Sequence, residues 1–447
     1  MNEEAEFKVY GYRWVVLVFF GLILVIQAFL WLSFAPIESA VEKALGVSTM
    51  QVRWLALIGP FMFIIVSSYA GSLADRRGFK FATGIGVVMM LVAGIIKAVT
   101  PHVISSGDVQ YWIYFVMQML GGTGSAFAIA NLSKMPIKWF PENQRALGTG
   151  LTTMWMYLGT VIGLPLVAMV ADVPGKAKLA RTLPSVLQAD LNRVLLVVAI
   201  IVGVVSVLFF LFVKEDPPTP AGPMPEGEEI SLRKSFPRFM RIGSFRAMCF
   251  ISLIGYGIYI ALTVSMEKII TYHGTGFTAN FASFVAAGIT LGGIVGAAVI
   301  PEISEKIGLR KPFLILATLV TMPTVLLIAF IGNKPIDLTS GIVMGLFLLP
   351  ALPIIFTMVG EMEEIGPRLA ATAVGILFAI GSIGSVLIPW LMEVLSQKKP
   401  GDIVDYRWAI LMLAALGLVG LLVIIFWVKE TGPKKRAKSG RQIEQPS

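Results

Sequence analysis

The 447-residue chain is 56% hydrophobic and only 14% charged, with a mean hydropathy of +0.81 and a formal net charge of +9. That is too little polar surface to cover a water-soluble domain of this length, so composition excludes a soluble enzyme and points to an integral membrane protein. A single cysteine, Cys249, and two histidines, His102 and His273, rule out a disulfide framework or a zinc centre, and no cofactor is implied.

In chain order, twelve apolar stretches each approach the roughly 20 residues that a helical span needs. They run over Trp14–Ile37, Trp54–Leu73, Phe81–Ala98, Val109–Leu132, Leu147–Val170, Val194–Val213, Ala247–Tyr272, Phe277–Ile300, Pro312–Ile331, Leu338–Val359, Leu369–Leu395 and Ile410–Val428. In lipid the backbone must satisfy its own hydrogen bonds, so runs this long are expected to be helices, and the fold class is an all-α membrane protein with twelve transmembrane helices. The acidic start "MNEEAEFKVYGYRW" leads into a span too long for a signal-peptide core, and the first helix is expected to be retained.

After the sixth span the composition changes to "KEDPPTPAGPMPEGEEISLRKSFPRFMR", rich in Pro, Gly and charge. This divides the chain into an N-terminal six-helix half (1–213), a cytoplasmic linker (214–245), a C-terminal half (246–428) and a basic tail (429–447). With both termini inside, 24 of the 36 Lys and Arg fall on the cytoplasmic side, the asymmetry expected of a plasma or cell inner membrane protein. The positive charge is therefore a topology signal and not a nucleic-acid footprint, and the tail "KKRAKSGR" also suits anionic lipid.

The two halves repeat. "GSLADRRGFK", Gly71 to Lys80, lies over "PEISEKIGLR", Pro301 to Arg310, at a constant offset of 230 residues. Asp75 then meets Glu305, Arg76 meets Lys306, Gly78 meets Gly308 and Lys80 meets Arg310. The halves also close alike, on "VKED" at Val213 and "VKET" at Val428. The loop pattern Gly-x-Leu-Ala-Asp-Arg-x-Gly-x-Lys, its weaker copy and the six-plus-six layout resemble the major facilitator superfamily along essentially the whole chain. The resemblance implies two pseudo-symmetric halves that rock about a solute, and a loop that latches their cytoplasmic ends. Asp75 would contact the N-terminus of the eleventh helix near Leu369. Gly78 would supply a turn, and Gly71 would allow a close helix approach. The bases Arg76, Arg77 and Lys80 also serve as topology markers.

Solute sites in such proteins lie near mid-membrane, and the polar and aromatic residues at span centres are the candidates for lining one. They are Gln27 and Trp31, four apart on one face of the first helix, then Gln118, Trp155, Tyr157, Tyr256, Tyr259 and Ser382. No Asp, Glu, Lys or Arg falls near a span centre; Lys97, Glu267, Glu361 and Glu393 sit toward the ends. A site of rings, amides and hydroxyls suits an apolar, zwitterionic or quaternary-ammonium solute better than a dianion.

The first span, "YRWVVLVFFGLILVIQAFLWLSFAPI", is also similar to the feline leukaemia virus subgroup C receptor-related family, whose members carry choline or ethanolamine, with haem also proposed. That resemblance implies that Trp31 faces a cation, but Tyr157 and Ser382 stand where the family's glutamines are expected. Gly150, Gly159 and Gly163 with Pro165 approximate the superfamily's antiporter motif, which keeps efflux of lipophilic drugs or metabolites open; the same spacing also serves plain helix packing. Pro350 and Pro353 are expected to break the hydrogen-bond ladder of the tenth helix. The reading is a secondary or facilitative transporter working by alternating access. A non-transporting membrane receptor or scaffold is the alternative of another class, and no enzyme signature is present. The expected partners are a small-molecule solute and the bilayer; the sequence leaves a coupling ion and the oligomeric state open.

Overall fold

The computed structural model describes residues 7–141, 144–172, 182–222, 232–274, 276–399 and 403–433. Among them, twelve helical spans are long and apolar enough to cross a membrane: Arg13–Leu45, Thr49–Ser67, Phe79–Val103, Gly107–Trp139, Leu147–Ala171, Pro184–Phe212, Gly243–Thr271, Ala279–Ile307, Lys311–Phe330, Lys334–Gly360, Ala373–Leu395 and Arg407–Trp427. The protein is an integral, multi-pass, all-α membrane protein. One element was not expected: a short antiparallel hairpin, Gln397–Lys399 with Ile403–Asp405, between the last two spans.

The helices start and stop where local chemistry says they should. Ser48 and Gln51 form a reciprocal capping box at the head of the second span, with Ser48 N–H donating to Gln51 Oε1 at 2.9 Å. Asn333 accepts from Ile336 N–H at 3.3 Å and opens the tenth. Two spans are interrupted. The first is helical over Arg13–Trp31, passes through a 3-10 turn at Ala35–Ile37 and resumes as Glu38–Leu45. The tenth is two helices, Lys334–Leu348 and Ala351–Gly360, parted at Leu349 and Pro350.

The chain forms two compact units, Met1–Gly227 with Gly274–Ser283, and Glu228–His273 with Phe284–Ser447. The core of the first unit gathers Phe20, Ile23 and Leu24 of the first span with Met90 of the third, Tyr114 of the fourth and Val198, Val202 and Phe209 of the sixth. The opposite face of the sixth span keeps Ile200, Val204, Val207 and Leu211 exposed. An apolar stripe left bare at helical spacing is what lipid contact leaves. The second unit packs Met248, Leu314, Ile354, Met358, Leu377 and Ile424 in the same way.

Lipid offers apolar helices no hydrophobic reason to associate, so close approach at small residues does that work. In the first unit a Cβ on Gly122 would sit 2.5 Å from Gly59 Cα, joining the second and fourth spans. In the second unit Cβ atoms on Gly292 and Gly345 would overlap the carbonyls of Ile342 and Ile289, joining the eighth and tenth. Gly159 fits against Val25 of the first span and Gly163 against Phe29, whereas a Cβ on Gly150 would meet nothing within 4 Å. The first two are thus packing glycines; Gly150 is not. Pro165 lies inside the fifth helix, which runs unbroken from Arg145 to Ala171.

Candidate functional site

The break in the first span organises the polar residues around it. A helix that ends at Trp31 leaves its last carbonyls without intrahelical donors. Ser33 Oγ bonds the carbonyls of Phe29 and Leu30, both at 2.9 Å. Lys97 Nζ from the third span reaches Leu30 O at 3.4 Å, and Gln118 Nε2 from the fourth donates to Trp31 O at 3.2 Å. Lys97 also bonds Gln118 Oε1 at 3.0 Å and Ser33 Oγ at 3.5 Å, and lies 5.5 Å from the centre of the Phe34 ring.

All three partners of Lys97 accept: a carbonyl, an amide oxygen whose nitrogen is already donating, and a hydroxyl whose hydrogen is committed to backbone. This is the partner set of an ammonium group. A cation at a helix C-terminus also complements the negative end of the dipole. Lys97 thus lies toward the end of the third span, as expected, but is bound into the polar network there. The third helix runs to Val103, five residues past the expected boundary, and Lys97 is 1% exposed.

Trp31 and Gln118 are likewise tied to backbone. Pro60 has no N–H to give the carbonyl of Ala56 four residues earlier, and Trp31 Nε1 donates to that carbonyl at 2.8 Å. Gln118 Nε2 makes a second bond, to Leu55 O at 3.0 Å. Gln27 differs from both. It is 7% exposed, and its side-chain amide makes no hydrogen bond among the described residues. Trp155 covers Gly21, where a Cβ would lie 2.5 Å from the ring, and Tyr157 is half-buried on the same helix.

In the second unit Tyr256 and Tyr259 stack with centroids 6.4 Å apart, and Tyr256 lies 5.7 Å from Phe378. Tyr259 shares a 3.1 Å hydrogen bond with Thr290. Ser382 Oγ donates to Phe378 O at 2.9 Å in its own helix. Among the described residues no group of three or more His, Cys, Asp or Glu comes together.

The repeated loops carry a matched device. Gly78 has φ +93°, and the Glu215 carboxylate accepts from the backbone N–H of Phe79 at 2.9 Å and of Lys80 at 2.6 Å. Gly308 has φ +74°, and the Glu430 carboxylate accepts from the N–H of Arg310 at 2.8 Å and of Lys311 at 2.9 Å. In each unit the acid of the closing "VKE" caps the helix that follows the loop glycine. Lys138 Nζ holds Glu215 at 2.6 Å and Asp216 at 2.7 Å. Arg310 is pinned by Glu361 at 3.0 Å and Ser304 at 3.2 Å.

The other loop residues play smaller parts. Glu305 stands 4.0 Å from Arg310, and Lys306 pairs with Glu302 at 2.7 Å on an exposed face. Arg76 is exposed. The Gly71 carbonyl accepts from Lys134 at 2.5 Å, but a Cβ on Gly71 would meet nothing within 4 Å. The Asp75 side chain lies outside the described residues.

Comparisons with known proteins agree with this architecture. A sequence model of the Major Facilitator Superfamily matches residues 18–277 and 247–446. The Solute carrier family 49 member 4 homolog of Xenopus tropicalis is 24% identical over 367 residues, covering 79% of each chain. The choline/ethanolamine transporter flvcr2a of Danio rerio is 24% identical over 390 residues, 84% of this chain and 79% of the relative. The second resemblance, drawn from the first span, therefore extends along most of the chain. A bacterial homologue of the human lysosomal transporter Spinster, solved inward-facing and unoccupied, superposes with a TM-score of 0.69 at 15% identity, covering 98% of this chain and all of that one.

Proposed function

Because this chain belongs to the Major Facilitator Superfamily, we propose that it carries a small organic solute across a membrane by alternating access, as a secondary or facilitative transporter. The halves 1–213 and 246–428 are the moving bodies, linked by 214–245, with both termini and the tail 429–447 cytoplasmic. The observation that carries this reading is the doubled cap, Glu215 on the amides of Phe79 and Lys80 and Glu430 on those of Arg310 and Lys311. A device repeated in both units supports duplicated halves that rock as equivalents.

Gln27 is the residue offered to the solute, since its amide is uncommitted while those of Trp31 and Gln118 are bound to backbone. The flvcr2a relative is named for choline and ethanolamine. In this chain the Lys97 amine bonds Gln118, which in turn bonds the Trp31 backbone carbonyl, so a basic group stands two hydrogen bonds from the residue whose ring would seat a cation. That favours a neutral or zwitterionic solute over a bare quaternary ammonium. Efflux of lipophilic compounds has less support, since Gly159 and Gly163 are accounted for by packing.

The test is a thermal-shift screen of the purified protein against amines, amino acids, sugars, carboxylates and lipophilic drugs, with hits taken into proteoliposome flux. Transport of a stabilising solute that weakens in Gln27→Ala supports the reading. A solute that stabilises but never moves would make this a receptor.

A further inference from the structure

Asp337 sits in the first turn of the tenth span, its N–H bonded to Asn333 O at 2.8 Å. Its side chain is fully buried, at 0% exposure, and neither carboxylate oxygen has a hydrogen-bond partner among the described residues. An ionised carboxylate accepts at about four lone-pair sites, and burying one with none of them filled costs several kcal/mol. A neutral carboxyl avoids most of that cost. The positive end of the helix offsets part of it for the ion, and a neighbouring cation offsets more.

The His273 ring, in the turn that ends the seventh span, lies beside the chain that leads into the tenth, close to Gly332. Its Nε2 lies 2.8 Å from the carbonyl of Ile328, which can only accept, so that nitrogen carries the proton. Gly332, at φ +64°, lets the ring lie against the chain just before the tenth span; a Cβ there would come 2.9 Å from Nδ1.

Among the described residues, the seventh span adds Glu267 and Lys268, both buried near its end, and the remaining elements carry their charges elsewhere. The ninth span has only Lys311, at its opposite end. On the eighth, the stretch from Val285 to Ile289 that meets Gly341 and Gly345 has no ionisable residue, and Glu302, Glu305 and Lys306 lie in its last turns. Lys334 is on the same element as Asp337, three residues earlier.

We infer that Asp337, with His273 beside it, is a proton-binding site and the point at which proton movement is coupled to transport in this protein. Loading adds one proton to the pair, and release leaves Asp337 ionised and held by His273 and the helix N-terminus. A buried carboxylate with no hydrogen-bond partner among the described residues takes up or releases its proton as the groups around it move, which is what coupling to a conformational cycle requires. The inference rests on the transport reading, but proton binding itself can be measured without a solute.

The test is infrared difference spectroscopy of the full-length protein in liposomes, without solute, between acid and alkaline buffer in H2O and D2O. The wild type is expected to show a protonated-carboxyl stretch that shifts in D2O and is lost in Asp337→Asn. His273→Gln is expected to move the pH at which that band appears. An identical band in Asp337→Asn, no such band in the wild type, or a sodium-dependent change in place of a pH-dependent one would overturn the site. Should Asp337→Asn not fold, the His273→Gln profile decides: an unmoved midpoint overturns the pairing. Once a solute is in hand, an acid gradient is expected to drive its accumulation by the wild type, while Asp337→Asn only exchanges it. Gradient-driven accumulation by Asp337→Asn would overturn the coupling while leaving transport intact.

Discussion

The cap formed by Glu215 makes a quantitative claim. A hydrogen bond to an ionised acceptor contributes about 1.5–3 kcal/mol, the low end suiting a partly exposed group. Glu215 is 27% exposed and makes two such bonds, so together they are worth about 3 kcal/mol. The partly exposed pair with Lys138 adds no more than about 0.5. Glu215→Ala is therefore expected to destabilise the protein by about 3 kcal/mol. In Gly78→Ala the new Cβ would stand 2.5 Å from the same carboxylate, displacing the cap, and the positive φ adds about 1–2 kcal/mol. The two changes should not add: with Ala already at 215, Gly78→Ala should cost only that backbone penalty of about 1–2 kcal/mol. Unfolding of the four proteins in detergent measures the cycle. Asp216→Ala, removing a well-exposed partner of Lys138, serves as a control expected within about 0.5 kcal/mol of wild type. Additive single and double variants, or a Glu215→Ala protein as stable as wild type, would refute the cap.

Four further outcomes are expected. Arg53 binds Glu38 through Nε at 3.2 Å and through a terminal nitrogen at 3.0 Å, with both side chains almost fully buried; Arg53→Ala should cost about 3–5 kcal/mol in the same unfolding assay, while replacing both by apolar residues costs far less. Gly345→Ala drives a Cβ into the Ile289 carbonyl and should cost about 1–3 kcal/mol, whereas Gly150→Ala, facing open space, should not destabilise the protein. Gln27→Ala should weaken solute binding by about 2- to 10-fold without lowering the melting temperature of the unliganded protein. Lys97→Met removes the charge near Trp31, and thermal-shift titration should show choline gaining on betaine relative to wild type; no change in that ratio would separate Lys97 from the choice of solute.

Hydropathy alone placed the twelve spans, because length and apolarity leave few alternatives in a bilayer. The repeat was also legible, in "GSLADRRGFK" over "PEISEKIGLR" and in "VKED" and "VKET". That the two repeated fragments touch was not. Glu215 lies 136 residues from Phe79 and Glu430 lies 120 from Arg310, and no local pattern announces a contact over that distance. The extent of the third span is less legible because apolarity fades before the helix does: it continues through Pro101 and His102 to Val103, and the burial of Lys97 among acceptors leaves no trace in the pattern. Trp31 and Gln118 are legible as candidates for lining a solute site, but their bonds go to carbonyls freed elsewhere, by Pro60 and by the break after Trp31, which side-chain patterns do not display.

The bonds around the break after Trp31 bear on how the N-terminal unit could move. Alternating access needs bodies that turn without deforming, and a helix broken within a membrane is a natural place to deform. Here the break is bound to three other spans at once: Trp31 to the second through Ala56, Gln118 to the second and first through Leu55 and Trp31, and Lys97 to the first and fourth through Leu30 and Gln118. Each link satisfies a backbone carbonyl or an amide that would otherwise be unpaired at membrane depth, so breaking any one leaves a polar group dry at about 1–3 kcal/mol. The network therefore stiffens the first four spans and takes Trp31 and Gln118 out of contention as groups that rearrange around a solute. What it leaves available in the first span is Gln27, one turn before Trp31 on the same face, with its amide uncommitted. On the proposed reading, rigidity and recognition then fall to different residues of one short stretch, the bonded ones holding the wall and Gln27 meeting the solute.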